Sequence, residues 1–240
     1  MRLCAMLRQK MNIKRLCMLV LDPQVDKQKI IAYPRIFFTG RIETVSTIRE
    51  MEKAVHYLSE EAVLGIDTET KPNFRKNAHK HKVALLQIST SKICFLFRLN
   101  LIGLPQPLID LLCNEKQLKV GLSLQNDILM LNERSHFKMG KWVDLQRMAR
   151  DVGIVDQSLQ KIYANVFHRY ISKSQRLTDW ERDILTDAQK RYAATDAWAC
   201  LNLYSKLCKL KTTHDYILKT PLSPYKLIDC FVKDFLQTVR

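Results

Sequence analysis

Four carboxylates and one phenol stand out by type and spacing. Asp67-Thr68-Glu69 follows a short apolar run, Ala62 to Ile66, and residues i and i+2 of an extended chain project to the same side. Asp127 lies just past a second apolar run, Leu118 to Leu122, in what reads as the first turn of a helix. Tyr192 and Asp196 are i and i+4 in a third segment of helical pattern, so phenol and carboxylate share a face. Hard divalent cations such as Mg²⁺ take oxygen ligands, and Asp67, Glu69, Asp127 and Asp196 supply that type without cysteine or histidine. Two such ions ~3.5–4 Å apart serve both ends of an in-line phosphodiester displacement. Each segment alone also has a plainer explanation. Asp-x-Glu is common in solvated turns, an acid in a first helical turn offsets the macrodipole, and a Tyr–Asp pair can simply support a helix. Four clustered carboxylates without a cation would repel one another, a cost unlike that of a stabilising feature.

The elements that must hold these residues alternate in period. Ile36 to Phe38 and Ile42 to Val45 carry strand-like residues around Gly40, and order is expected to begin near Ile36. Thr47-x-x-Glu50 has the form of a capping box opening a helix to about Ser59. Continuous apolar runs at Ala62 to Ile66, Val83 to Ile88 and Ile93 to Phe97 predict strands covered on both faces. A helix to Cys113, the strand at Leu118, a helix over about Gln125 to Asn132 and a strand at Trp142-Val143 follow. The remainder reads as helix: Leu145 to Ala149, Leu159 to Phe167, and a long one from the second capping box, Thr186-x-x-Gln189, to about Leu210. Small residues at Ala193, Ala194 and Ala197 let that last helix approach its neighbours closely. The class is α/β, with Asp67 and Glu69 at the carboxyl end of a central strand, where open sheets place ligands.

Asp-x-Glu after a strand, Asp after another strand, and Tyr-x-x-x-Asp on a late helix together resemble the DEDDy 3′-5′ exonuclease superfamily. Its three motifs fall in order on Asp67/Glu69, Asp127 and Tyr192/Asp196. Gly65 to Thr70, Leu85-Leu86-Gln87-Ile88, Lys173-Ser174-Gln175-Arg176 leading to Trp180, and Tyr192 to Ala197 extend the likeness. The chain is similar to the Werner-type exonuclease domain and more distantly to the ribonuclease D catalytic domain, over Ile42 to Leu210. The resemblance implies a single ribonuclease H-like domain, a mixed central sheet flanked by helices, at 36–210. It also implies two Mg²⁺ or Mn²⁺ ions: Asp67 bridging them, Glu69 and Asp196 on the ion carrying the water, Asp127 supporting the second, and Tyr192 orienting the water. Many relatives carry an acid or other polar residue immediately before the second-motif aspartate, where this chain has Asn126.

Composition fits a polyanionic substrate. In 240 residues, 39 Lys and Arg against 24 Asp and Glu give +15, more than solubility requires. Lys71, Arg75, Lys76, Lys80 and Lys82 crowd the loop after the first motif, with His79 and His81, and Lys173, Gln175 and Arg176 precede the last motif. All eight of those Lys, Arg and Gln residues are candidates for phosphate contact, and Trp180 for either core or base stacking. Without a G-x-x-x-x-G-K-[ST] loop or G-x-G-x-x-G turn, no nucleotide cofactor is expected. Apolar runs such as Cys17 to Leu21 fall short of the ~18 residues of a membrane span, so no membrane partner is expected either. Seven scattered cysteines without a C-x-x-C pair read as free thiols in a reducing compartment, the cytoplasm. Residues 1–35 read as a basic extension, with Met11 or Met18 as alternative starts, and 211–240 as a tail packing on the domain. DNA is the favoured substrate over RNA because ribonuclease D carries further helical domains downstream. A catalytically silent nucleic-acid adaptor is the reading from another class.

Overall fold

The computed structural model describes residues 18–74 and 80–219. In chain order these form β1 (Leu19–Leu21), α1 (Lys27–Ala32), β2 (Arg41–Val45), α2 (Ile48–Ser59), β3 (Val63–Glu69), β4 (Leu85–Ser89), β5 (Ile93–Arg98), α3 (Leu99–Ile102), α4 (Gln106–Cys113), β6 (Leu118–Gly121), α5 (Leu124–Asn132), β7 (Trp142–Asp144), α6 (Leu145–Asp151), α7 (Leu159–Phe167), α8 (Asp187–Thr213) and β8 (Tyr216–Leu218). Both capping boxes are made: Thr47 with Glu50 opens α2, and Thr186 with Gln189 opens α8. None of the described helices is long and apolar enough to cross a membrane.

A six-stranded sheet in the order β2-β5-β4-β3-β6-β7 separates two helical layers. β4 is antiparallel to both β3 and β5, and the other pairs are parallel. The expected mixed ribonuclease H-like sheet is what the chain builds. Alternation within the strands divides the core. Leu64, Ile66, Leu86, Ile88, Phe95 and Phe97 pack with Met51, Leu58, Leu108 and Leu112 of α2 and α4. Leu85, Cys94 and Leu96 face the other way, onto Ala193, Ala194 and Ala197 of α8. This two-sided burial is why these strands read as unbroken apolar runs.

α8 lies directly on β3 because Gly65 has no side chain. A Cβ at Gly65 would stand 2.1 Å from the Ala197 carbonyl oxygen, an impossible contact. Gly65, Asp67 and Glu69 share one face of the strand by the two-residue repeat, so the close approach carries the acids of β3 and those of α8 to one place.

Two expectations need correction. Ile36 to Phe38 is not a strand. It is a strap joined by an isolated bridge, Arg35 to Tyr170, with the Phe38 amide donating to the Thr195 hydroxyl at 3.0 Å. Ordered packing also starts before Ile36: β1 pairs in parallel with β8, and Leu21, Val25 and Ile30 are buried. A three-residue strand whose partner lies almost two hundred residues away leaves no periodicity to read. Residues 1–17 and 220–240, on which the extension and tail expectations partly fall, lie outside the described residues.

Gly65→Ala is expected to force α8 off β3, costing ~1–3 kcal/mol as overpacking does and lowering the urea midpoint. Wild-type stability in that variant would show that the helix is not held by this contact.

Candidate active site

Asp67 and Glu69 leave the end of β3, and Asp196 descends from α8. Carboxylate oxygens of the three lie within 4.8 Å of one another. Glu69 and Asp196 are buried and Asp67 is half-buried. Asp127 stands outside that trio, on the first turn of α5, but near enough that its charge acts on Asp67 and Glu69. The Thr68 hydroxyl donates to the Asp127 carboxylate at 2.5 Å. Thr68 thus ties α5 to β3, although it points to the opposite face from its two acidic neighbours.

The turn that delivers Asp127 is held from a further strand. Ser123 sits in the left-handed region at φ 56°, with no side-chain cap, and its amide donates to Asp144 at the end of β7 at 3.2 Å. A non-glycine residue there costs roughly 1–2 kcal/mol, offset by that hydrogen bond. Asp144 also caps α6 through the Gln146 amide at 2.8 Å.

Electrostatics follow from crowding acids away from water. Burial first, then the negative charges of Asp196, Asp127 and Glu69, hold the Asp67 carboxyl well above the ordinary carboxylate range. Burial and the charges of Asp196 and Asp127 push Glu69 up to about 9, with Arg176 pulling the other way. Asp196 rises to about 7 through burial, moderated by the Tyr192 hydroxyl and by Lys173. Asp127 rises to about 6 through burial, against the Thr68 hydrogen bond. Tyr192 is pushed further above its usual value by burial and the three acids, so its hydroxyl stays protonated and donates to Asp196. Gln87, opposite Asp67 across the β3–β4 pair, is fully buried on the same face, and neither atom of its amide has a partner among the described residues. All-oxygen donors, mutual repulsion and spare hydrogen-bonding capacity together fit a hydrated hard cation.

The 3′-5′ exonuclease family profile matches residues 42–211, which contain every one of these groups. The chain belongs to that 3′-5′ exonuclease family. It is 33% identical over 162 residues to the mouse bifunctional 3′-5′ exonuclease/ATP-dependent helicase WRN, covering 65% of this chain and 12% of that protein. A 3′-5′ exonuclease of Arabidopsis thaliana is 30% identical over 190 residues, covering 73% of this chain and 66% of that protein. Ribonuclease D of Haemophilus influenzae is 26% identical over 213 residues, covering 82% and 51%. The chain therefore spans only part of the length of these relatives. The Escherichia coli ribonuclease D structure superposes with a TM-score of 0.65 at 19% identity, over 80% of this chain and 49% of that one.

The basic residues of this exonuclease-family chain are not equally available to a substrate. Lys71 is bound to Asp179 at 2.7 Å and Glu181 at 3.9 Å, and Glu181 also meets His81 at 3.1 Å. Lys80 and Lys82 are exposed, Lys80 lining a shallow pocket with Lys71 and Glu133. Arg75, Lys76 and His79 lie outside the described residues. Lys173 and Arg176 act electrostatically on Asp196 and Glu69, and Gln175 is half-buried beside Ser174. Trp180 is fully buried 5.9 Å from the Tyr192 ring. It is core, not an accessible stacking platform. Sequence reading missed Thr68, Gln87 and Asp144, whose roles arise from contacts across strands and between layers.

Two outcomes follow. Because the fold raises the pKa of Glu69, Asp196 and Asp127, the folded state binds more protons than the unfolded chain between about pH 4 and the raised values. For these groups stability in EDTA is therefore greatest below about pH 4 and falls as pH rises from there toward the raised values of about 6, 7 and 9, above which no more is lost. Thermal melts should show Mn²⁺ restoring more stability at the upper end of that window than at the lower. Thr68→Val should weaken Mn²⁺ binding ~10–100-fold, as loss of a ligand's supporting hydrogen bond does. Calorimetric titration would register unchanged affinity if Asp127 needs no such support.

Proposed function

We propose that the protein is a metal-dependent 3′-5′ exonuclease of DEDDy type, removing nucleoside 5′-monophosphates stepwise from nucleic-acid 3′ ends. The observation that carries the reading is the convergence of Asp67, Glu69 and Asp196 within 4.8 Å, with the Tyr192 hydroxyl on Asp196. Asp67, Glu69, Asp196 and, through Thr68, Asp127 would hold two Mg²⁺ or Mn²⁺ ions. When bound, such ions polarise the phosphate and lower the pKa of the attacking water.

The chain's own groups do the rest. Tyr192 remains a protonated hydroxyl and so orients the water through a hydrogen bond instead of acting as its base. Lys173 and Arg176 bring positive charge to the acids' edge, where the non-bridging oxygens of a phosphate arrive. A DNA end is the leading substrate, supported by greater identity to the mouse exonuclease/helicase than to ribonuclease D. An RNA end is the second reading, favoured by the ribonuclease D likeness, whose Escherichia coli representative is described as an exoribonuclease of structured RNA processing. A reducing, cytoplasmic setting belongs to the same proposal, supported by the free thiols of Cys94, Cys113, Cys200 and Cys208.

Matched DNA and RNA oligonucleotides labelled at the 5′ end, single-stranded and recessed, should shorten in a ladder with Mg²⁺ or Mn²⁺. Tyr192→Phe and Asp127→Asn should each slow the ladder by ~10²-fold or more. An undiminished ladder in both variants would refute the site assignment. Binding without shortening in either metal would leave the adaptor role standing in its place.

A further inference from the structure

A cavity of about 190 Å³ shares Tyr192 with the acids as one of its walls. Its walls include Arg35 and Phe37 of the strap, Ser172 and Ser174, and Arg191 and Tyr192 of α8. Phe37 is 43% exposed, yet its strap is pinned on both sides. The Ile36 amide donates to the Tyr170 carbonyl at 2.9 Å, and the Phe38 amide to the Thr195 hydroxyl at 3.0 Å. Thr195 in turn donates to the Arg191 carbonyl at 2.6 Å. The guanidinium of Arg191 lies over the Phe37 ring, 5.1 Å from its centroid. Among the described residues no acid lines the cavity, while two arginines stand in its walls. A half-exposed aromatic ring with one guanidinium over one of its faces and a second arginine in the same cavity wall is the kind of arrangement that grips a single strand, the open face stacking a base and the cations neutralising phosphates. The volume is below the ~300 Å³ of a drug-sized pocket and suits one planar ring. Arg35 and Phe37 also precede the residues that the family profile matches.

We propose that this cavity is a nucleobase subsite that takes one base of the single strand upstream of the scissile phosphate, stacked on Phe37 with Arg35 and Arg191 against the flanking phosphates. The assignment rests on the exonuclease reading of the adjoining acids, because Tyr192 is the shared wall.

Affinity for a fluorescein-labelled single-stranded DNA, read by anisotropy in EDTA, tests the subsite without any chemistry. Phe37→Ala and Arg191→Ala should each weaken binding by about tenfold, the scale of one lost base stack, and Phe37→Tyr should keep wild-type affinity. Placing an abasic site at successive positions should cost the wild type affinity at one distance from the 3′ end and cost Phe37→Ala nothing there. In Mn²⁺, the alanine variants should raise KM and spare kcat. Wild-type affinity in both alanine variants, or the same abasic profile in wild type and Phe37→Ala, would overturn the subsite. If the wild type binds as described but shortens no oligonucleotide, the exonuclease reading fails instead, and the EDTA measurement tells the two failures apart.

Discussion

The contact on which the site depends is the approach of α8 to β3 at Gly65. With hydrogen in place of a side chain, the strand admits the Ala197 carbonyl into the space a Cβ would fill. One residue earlier on the helix, Asp196 is carried to the end of the strand where Asp67 and Glu69 emerge. The apolar packing of Ala193, Ala194 and Ala197 against Leu85 of β4 and Cys94 and Leu96 of β5 holds α8 on the sheet beside β3. That packing opposes the cost of stripping water from the acids, which raises the pKa of Asp67, Glu69 and Asp196, and the mutual repulsion that adds to it at Asp67 and Glu69. Such opposition is sustainable because the repulsion is local and the buried apolar area is spread over a long helix.

Asp127 enters from the other layer, and its placement is a chain of small constraints. The end of β7 holds the Ser123 amide, the left-handed turn at Ser123 starts α5, and Thr68 fixes the carboxylate. The acids carried by the two helical layers thus meet at the carboxyl end of β3, where the sheet stops separating them. Ligands in α/β folds gather at strand ends for the same reason.

The charge of +15 does not translate directly into substrate grip. Lys71 is committed to Asp179 and Glu181, tying the loop after β3 to the segment before α8. Arg98 is buried and donates to the carbonyls of Arg182 and Asp183, and the buried Lys119 donates to those of Asn114 and Gln117. These cations organise loops. The long-range field still draws a polyanion toward the surface, but among the described candidates it is Lys173 and Arg176 whose charge reaches the acids.

Much was legible in the amino-acid sequence because its signals are local. The capping boxes at Thr47 and Thr186 marked two helix starts, and unbroken apolar runs marked strands covered on both sides. The spacing of Asp67, Glu69, Tyr192 and Asp196 assigned them to common faces of a strand and a helix. What the sequence alone determined is therefore the identity and facing of the acids and the order of the elements bearing them. Only the tertiary structure decided that Thr68 supports Asp127, that Gln87 lies opposite Asp67, that Trp180 is core and that β1 finds β8. Each of those depends on register or on contact between residues far apart in the chain, and such pairings are fixed by the packing of the whole molecule, which no stretch of neighbouring residues encodes.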